Sequence, residues 1–215
     1  ITFWFKGFQL EGYRRIFSSG KIWLGYRNSM FYTLLGTSLN ILLTMMAAYP
    51  LSRQAFKARK VIMLVMIFTM YFNGGLIPTY MVIDRLGLVG RWPVMIILGA
   101  VSVWNVIIAR TFLTTSLYVE LQEAAKIDGC NDFHFLFSIV FPLSKALIAV
   151  LCLYYGLVHW NSYFHALIYL KEKAQYPLQL VLRDILLVNE VDMEMIVDVV
   201  GFEEQLRISA IMKYG

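Results

Sequence analysis

The chain has 215 residues, 59% of them hydrophobic and only 15% charged, with a mean hydropathy of +0.64. An average soluble domain carries about 25% charged residues, so the composition excludes an ordinary water-soluble globule. The formal charge of +5 could suit a polyanion, but Lys and Arg stand in the breaks between apolar stretches and gather on no single face, which excludes a nucleic-acid-binding surface.

Uncharged runs cover 28–52, 61–83, 92–109 and 146–170. Each approaches the roughly 20 helical residues that cross a hydrocarbon core, and they predict an all-α, polytopic membrane helical bundle. Residues 1–28 mix aromatic and basic side chains (Trp4, Lys6, Tyr13, Arg14, Arg15, Trp23, Arg27), which suits headgroup depth. The start has no initiating Met, basic n-region or cleavage site, so it reads as the beginning of a fragment.

The first span is predicted at 29–51. Arg53, Lys57, Arg59 and Lys60 follow it closely, and such a basic loop belongs on the cytoplasmic side. The second is predicted at 61–81, interrupted by Asn73, Gly74, Gly75 and Pro78, with a short outer helix over 79–88. The third, at 93–109, has Pro93 in its first turn, where a missing N–H costs nothing. This run is about 18 residues, or roughly 27 Å, so Trp92 and Arg110 must lie near the two interfaces. A polar loop over 111–142 leads to a fourth span at 143–163. An outer, mostly helical segment over 171–207 then leads to a truncated apolar run from about 206. No repeat is evident, and the chain reads as one transmembrane domain. Cys130 in a polar break and Cys152 in an apolar run would sit at different depths, so they read as free thiols.

The loop at 111–142 has the pattern of helix, corner and helix. Thr115 or Ser116 can cap the first helix, and Leu117, Leu121, Ala124 and Ala125 fall on one stripe. Asp128 and Gly129 end it, because glycine enters the left-handed region where other residues pay roughly 1 to 2 kcal/mol. Asn131 or Asp132 can cap the second helix, whose Phe133, Leu136, Phe137 and Val140 share an apolar face. Pro142 is expected to terminate it.

Glu123, Ala124, Ala125, Gly129, Ile139 and Phe141-Pro142, at these spacings, resemble the EAA loop of ABC importer permeases. That family usually has Leu at the position of Phe141. Within it the chain is similar to the maltose-permease-like carbohydrate subfamily. The stretches Arg27-Asn28-Ser29, Ala48-Tyr49-Pro50-Leu51-Ser52-Arg53 and Asn73-Gly74-Gly75-Leu76-Ile77-Pro78 resemble its polysaccharide-linked, lipoprotein-linked branch. The resemblance implies a bacterial plasma-membrane subunit of six spans lacking here the first and most of the last. That places 1–28 outside, although their five basic residues exceed the four of the 53–60 loop. It further implies a second permease subunit, separate ATP-binding subunits and an extracytoplasmic substrate-binding protein. On this reading Glu123, Ala124, Ala125, Asp128, Gly129, Phe133, Phe137 and Pro142 meet the ATPase.

No cofactor, metal or enzymatic activity is expected. A phosphate-cradling loop would end in Gly-Lys-Ser/Thr, whereas Gly20-Lys21 is followed by Ile22. His134 is assigned to the cytoplasmic side and His159 and His165 to the opposite half, so they do not converge as metal ligands. Asn40, Asn105 and Asn161 must face the bundle interior, bonding neighbouring helices or lining a sugar path. Tyr154, Tyr155, Trp160 and Tyr163 fit either an interfacial belt or sugar stacking. The path candidates are Asn73, Asn105, Tyr155, Trp160 and Asn161. A channel or secondary transporter should carry intramembrane charge, which the four runs lack. A non-transporting scaffold would leave the loop without a use.

The topology predicts that Gln175→Cys reacts with an impermeant thiol reagent added outside intact cells, whereas Lys57→Cys does not. The reverse pattern would refute the assignment of sides.

Overall fold

A computed structural model describes residues 20–116 and 119–186, and every regular element among them is helical. Helix α1 (Gly20–Ser52) is 33 residues long, about 50 Å at 1.5 Å per residue, and starts well before the expected position 29. Its buried face repeats every three to four residues, through Gly25, Ser29, Tyr32, Gly36, Asn40, Thr44 and Ala48. Leu34, Leu35, Phe31 and Met46 lie exposed on the remaining circumference. Small and polar residues inward with apolar residues outward is the arrangement expected in lipid, where association depends on close approach and interhelical hydrogen bonds.

That ridge packs against α5 (Val103–Ser116) and α8 (Lys145–Trp160). A Cβ on Gly36 would lie 2.5 Å from the His159 ring, and one helix turn on, Asn40 Nδ2 is 3.1 Å from His159 Nε2. Farther along, Thr44 Oγ1 and the Tyr155 hydroxyl are 2.6 Å apart, both buried. The Tyr155 oxygen also accepts the Ser102 N–H at 3.2 Å. Three separated parts of the chain thus meet on one phenol.

Two of the expected spans, the second and the third, are broken. Helix α2 (Arg59–Tyr71) and α3 (Leu76–Arg85) meet at 113°, because Gly75 takes φ +84 and Asn73 Oδ1 accepts the Gly75 N–H at 3.0 Å, closing a side-chain turn. The outer helix therefore begins at 76 rather than 79. No continuous helix covers 93–109. A short α4 (Val94–Ile97) precedes an irregular stretch with Gly99 at φ +75, and α5 follows. The 143–163 span is α8 alone, set at 84° to the preceding Asp132–Leu143 segment. By length and composition, α1 is long and apolar enough to cross a membrane, and each of the two bent pairs qualifies if it forms a single span.

Toward the N-terminal end of α1, Asn28 donates to the carbonyls of Ala174 (2.8 Å) and Tyr176 (3.1 Å), Ser29 Oγ accepts the Leu178 N–H (2.8 Å), and the Tyr32 hydroxyl donates to the Gln175 carbonyl (2.9 Å). The segment after α9 (Tyr163–Tyr169) is thereby strapped to α1. Helix resumes at 178 and is described to 186. The remainder of the outer segment, the apolar run from 206 and residues 1–19 lie outside the described residues.

Gly36→Val should disturb the α1–α8 crossing, since the His159 ring is held by Asn40 and cannot swing aside freely. Overpacking of this kind costs about 1–3 kcal/mol, a fall of roughly 2 to 12 °C in the melting midpoint of the detergent-solubilised protein. Gly156→Ala, whose new Cβ would lie 3.9 Å from Thr37 Oγ1, should melt like the parent. Equal midpoints for all three proteins would contradict the packing.

Candidate functional site

Between α5 and α8 the chain forms the expected hairpin. Helix α6 (Val119–Ile127) ends where the Cys130 N–H reaches the Ala125 carbonyl (2.9 Å) and the Gly129 N–H reaches the Lys126 carbonyl (3.0 Å). This bond pair is the Schellman ending, and it requires positive φ at Gly129, observed at +75. Asn131 then caps α7 (Asp132–Leu143), its Oδ1 accepting the His134 N–H at 2.7 Å. The N-terminus of α6 adjoins 117–118, which lie outside the described residues, so the expected Thr115 or Ser116 cap is not described. Both residues belong to α5, and the Thr115 hydroxyl donates back to the carbonyls of Thr111 and Phe112.

Pro142 does not terminate the second helix. The chain stays helical through Leu143, but 136–140 widens to a π turn in which the Phe141 N–H reaches back to the Leu136 carbonyl. Proline lacks an N–H and crowds the carbonyl four residues earlier, and a widened turn relieves that crowding. The break comes at Ser144, with φ −96 and ψ 25.

The apolar face expected on α7 divides in two. Leu136 and Val140 are buried together with Phe135 and with Ala125 of α6, in one cluster with Met45, Ala48 and Leu51 of α1, Leu113 of α5 and Leu147 and Leu151 of α8. Phe133 (67% exposed) and Phe137 (47%) point away from that cluster, as does Ile127 (87%). Glu123, Ala124, Asp128, Gly129 and Pro142 are exposed as well. Of the eight expected docking residues, Ala125 faces inward and the rest face solvent; Leu117 of the expected stripe lies outside the described residues.

A residue first counted only for its charge holds the hairpin to the spans. Arg53, just past the end of α1, donates through Nη1 to Gln122 Oε1 of α6 and through Nη2 to the Tyr49 hydroxyl at 2.6 Å. Its guanidinium carbon lies 4.3 Å from the Tyr49 ring centroid and 4.9 Å from that of Phe135. The Tyr49 hydroxyl donates onward to Asp132 Oδ1 at 3.3 Å. Arg110 Nε donates to the Leu51 carbonyl (3.0 Å) and Arg59 to that of Arg53 (3.3 Å), so α5 and α2 meet the same corner. Beside it a cleft of about 430 Å³ opens between Tyr49, Pro50, Phe56, Lys126 and Phe133. Planar stacking on two rings while donating to two acceptors suits guanidinium and not ammonium. The signal was present in the Ala48-to-Arg53 stretch, yet nothing in the sequence indicates that it meets Gln122.

The path candidates are not brought together. Asn73 closes the α2–α3 corner, and Asn161 Nδ2 returns to the Leu157 carbonyl of its own helix (2.9 Å). Trp160 stands edge-on to Tyr26, with ring centroids 5.9 Å apart. Asn105 and Tyr155 are buried at the junction of α1, α5 and α8. Asn40 bonds His159, and His134 is exposed near Ser138.

Residues 23–189 match the family described as "Binding-protein-dependent transport system inner membrane component". The chain is 40% identical over 182 residues to the polygalacturonan/rhamnogalacturonan transport system permease protein YtcP of Bacillus subtilis (strain 168), covering 85% of this chain and 63% of that protein. It is 38% identical over 185 residues to Protein LplC of the same organism, covering 86% and 62%. Among solved structures, a bacterial ABC transporter involved in the import of the acidic polysaccharide alginate superposes with a TM-score of 0.79 at 31% identity, covering 82% of this chain and 62% of that one. The chain thus spans a little over three fifths of the length of these relatives.

Arg53→Lys should loosen the hairpin without unfolding the spans. Losing the stacked, two-acceptor geometry removes on the order of 1 to 2 kcal/mol, so hydrogen exchange at amides 121–136 should speed up roughly tenfold while α8 keeps its protection. Unchanged exchange across the hairpin would show that Arg53 is not its clasp.

Proposed function

The chain belongs to the binding-protein-dependent transport system inner membrane component family, and on that premise we propose that it is a permease subunit of an ABC importer that takes up oligosaccharides. Coupling runs through the α6–α7 hairpin to a separate ATPase. The observation that carries this reading is the hairpin's division into exposed and buried apolar residues: Ile127, Phe133 and Phe137 stand exposed, while Ala125, Phe135, Leu136 and Val140 share a core with the spans. An ATPase seated on the exposed residues would move α1, α5 and α8 with it, because packed interiors transmit displacement rather than absorb it. The work of the cycle then lies in differential contacts between two arrangements of the helices.

The partners are a second permease subunit, ATP-binding subunits supplying hydrolysis, and an extracytoplasmic protein delivering the sugar. The relatives named for polygalacturonan, rhamnogalacturonan and alginate favour fragments of acidic polysaccharides as cargo. A channel or a scaffold has no such support.

Gly129→Asp tests the coupling role. The corner needs positive φ, which costs an ordinary residue roughly 1 to 2 kcal/mol, and the new carboxylate would stand beside Asp128 on the exposed side. No atom lies within 4 Å of the added Cβ, so insertion and expression should stay near the parent level while uptake is lost. Persistence of both uptake and substrate-stimulated ATP hydrolysis in the assembled complex would remove the hairpin from the coupling route.

A further inference from the structure

Residues 98–102 interrupt the third transmembrane passage. Within this stretch the Ala100 N–H reaches the Ile97 carbonyl (3.1 Å) and the Ser102 N–H reaches the Tyr155 hydroxyl. The carbonyls of Leu98, Gly99, Ala100 and Val101 receive no protein donor among the described residues, and the N–H groups of Gly99 and Val101 find no acceptor.

The depth of the break follows from its partners. Tyr155 lies about ten residues into α8 from Lys145, and Thr44, on the same hydroxyl, lies about eight residues before the end of α1. At 1.5 Å per residue these are roughly 15 and 12 Å from the cytoplasmic ends, the middle of a core about 30 Å thick. Gly99 and Val101 (41%) are nevertheless exposed, and so is Trp104 (57%) one step into α5.

Irregular backbone with unmet polar groups does not face lipid at that depth; it is tolerated against protein or a water-filled cavity. A row of carbonyls seeks donors, and hydroxyl hydrogens are what a sugar offers in number. An exposed indole beside that row can cover the apolar face of a pyranose ring. Gly99 supplies the positive φ of this stretch, and a Cβ there would meet no atom within 4 Å, so packing does not explain the glycine. No charge occurs between 92 and 109, so the contact is made through neutral hydrogen bonds, the carbonyls accepting from sugar hydroxyls.

We propose that the backbone of 98–102, together with the Trp104 ring, is this chain's contact with the oligosaccharide at mid-membrane. This rests on the importer reading above. The test uses the complete importer in proteoliposomes, with Cys130→Ser and Cys152→Ala as background, and Val101→Cys probed by an impermeant methanethiosulfonate. Position 101 should label, and oligogalacturonides or alginate oligosaccharides present during turnover should slow labelling at least fivefold. Independently, Trp104→Ala should raise the KM for uptake about tenfold with little change in kcat, and Trp104→Phe should recover most of it. Failure to label, equal labelling with and without sugar, or parental KM in Trp104→Ala would each overturn the contact, while continued uptake would leave the importer reading standing. A parent complex in which none of these oligosaccharides stimulates ATP hydrolysis would overturn that reading and this contact with it.

Discussion

The structure depends on how polar groups are satisfied where water is absent. A backbone or side-chain dipole at membrane depth is costly unless it meets a protein group or water, and helices in lipid gain little from apolar contact alone. The Tyr155 hydroxyl answers both demands, joining Thr44 of α1 and the last amide of the broken stretch, at Ser102. One turn along α8, His159 meets Asn40 across the gap that Gly36 leaves open. Individually such bonds contribute about 0.6 kcal/mol, up to roughly 1.7. Together they set which helices touch and at what register.

From that centre the architecture extends in two directions. Outward, Asn28, Ser29 and Tyr32 satisfy the backbone of 174–178, so the segment after the fourth passage is an extension of α1. Inward, the last turn of α1 ends against the hairpin, where Arg53 spans Tyr49, Gln122 and Phe135 and Asp132 completes the charge pattern. A single 33-residue helix therefore links the 174–178 strap, the Tyr155 junction and the Arg53 clasp.

The broken helices serve the same end. Each break lies where a turn or a buried hydroxyl rescues part of the freed backbone: Asn73 at the 113° corner, Tyr155 at the 98–102 stretch, the π turn before Pro142. Helix α2 shows the converse, with Met63 its buried residue and Val61, Leu64, Val65 and Phe68 exposed. That apolar circumference is consistent with a lipid or subunit boundary, where regular hydrogen bonding leaves no backbone group unmet.

Composition and spacing by themselves determined that the chain is helical, that it crosses a membrane, and where its α6–α7 hairpin turns. Gly129 and Asn131 were legible because a left-handed corner and a helix cap are local events, decided by residues within three or four positions of each other. The hairpin motif was legible for the same reason. Which of its aromatic residues face inward was not: Phe133 and Phe137 share a helical stripe with Leu136 and Val140, and α1, α5 and α8 choose among them. The break at 98–102 was hidden because Gly99 in an apolar run reads equally well as a tolerated glycine, and the phenol that supports the unwound backbone comes from 53 residues away. Arg53 could be counted as a topology charge from sequence, but its work as a clasp rests on Gln122, 69 residues distant. Long-range partners of this kind leave no period or spacing in a sequence, and tertiary packing alone decides them.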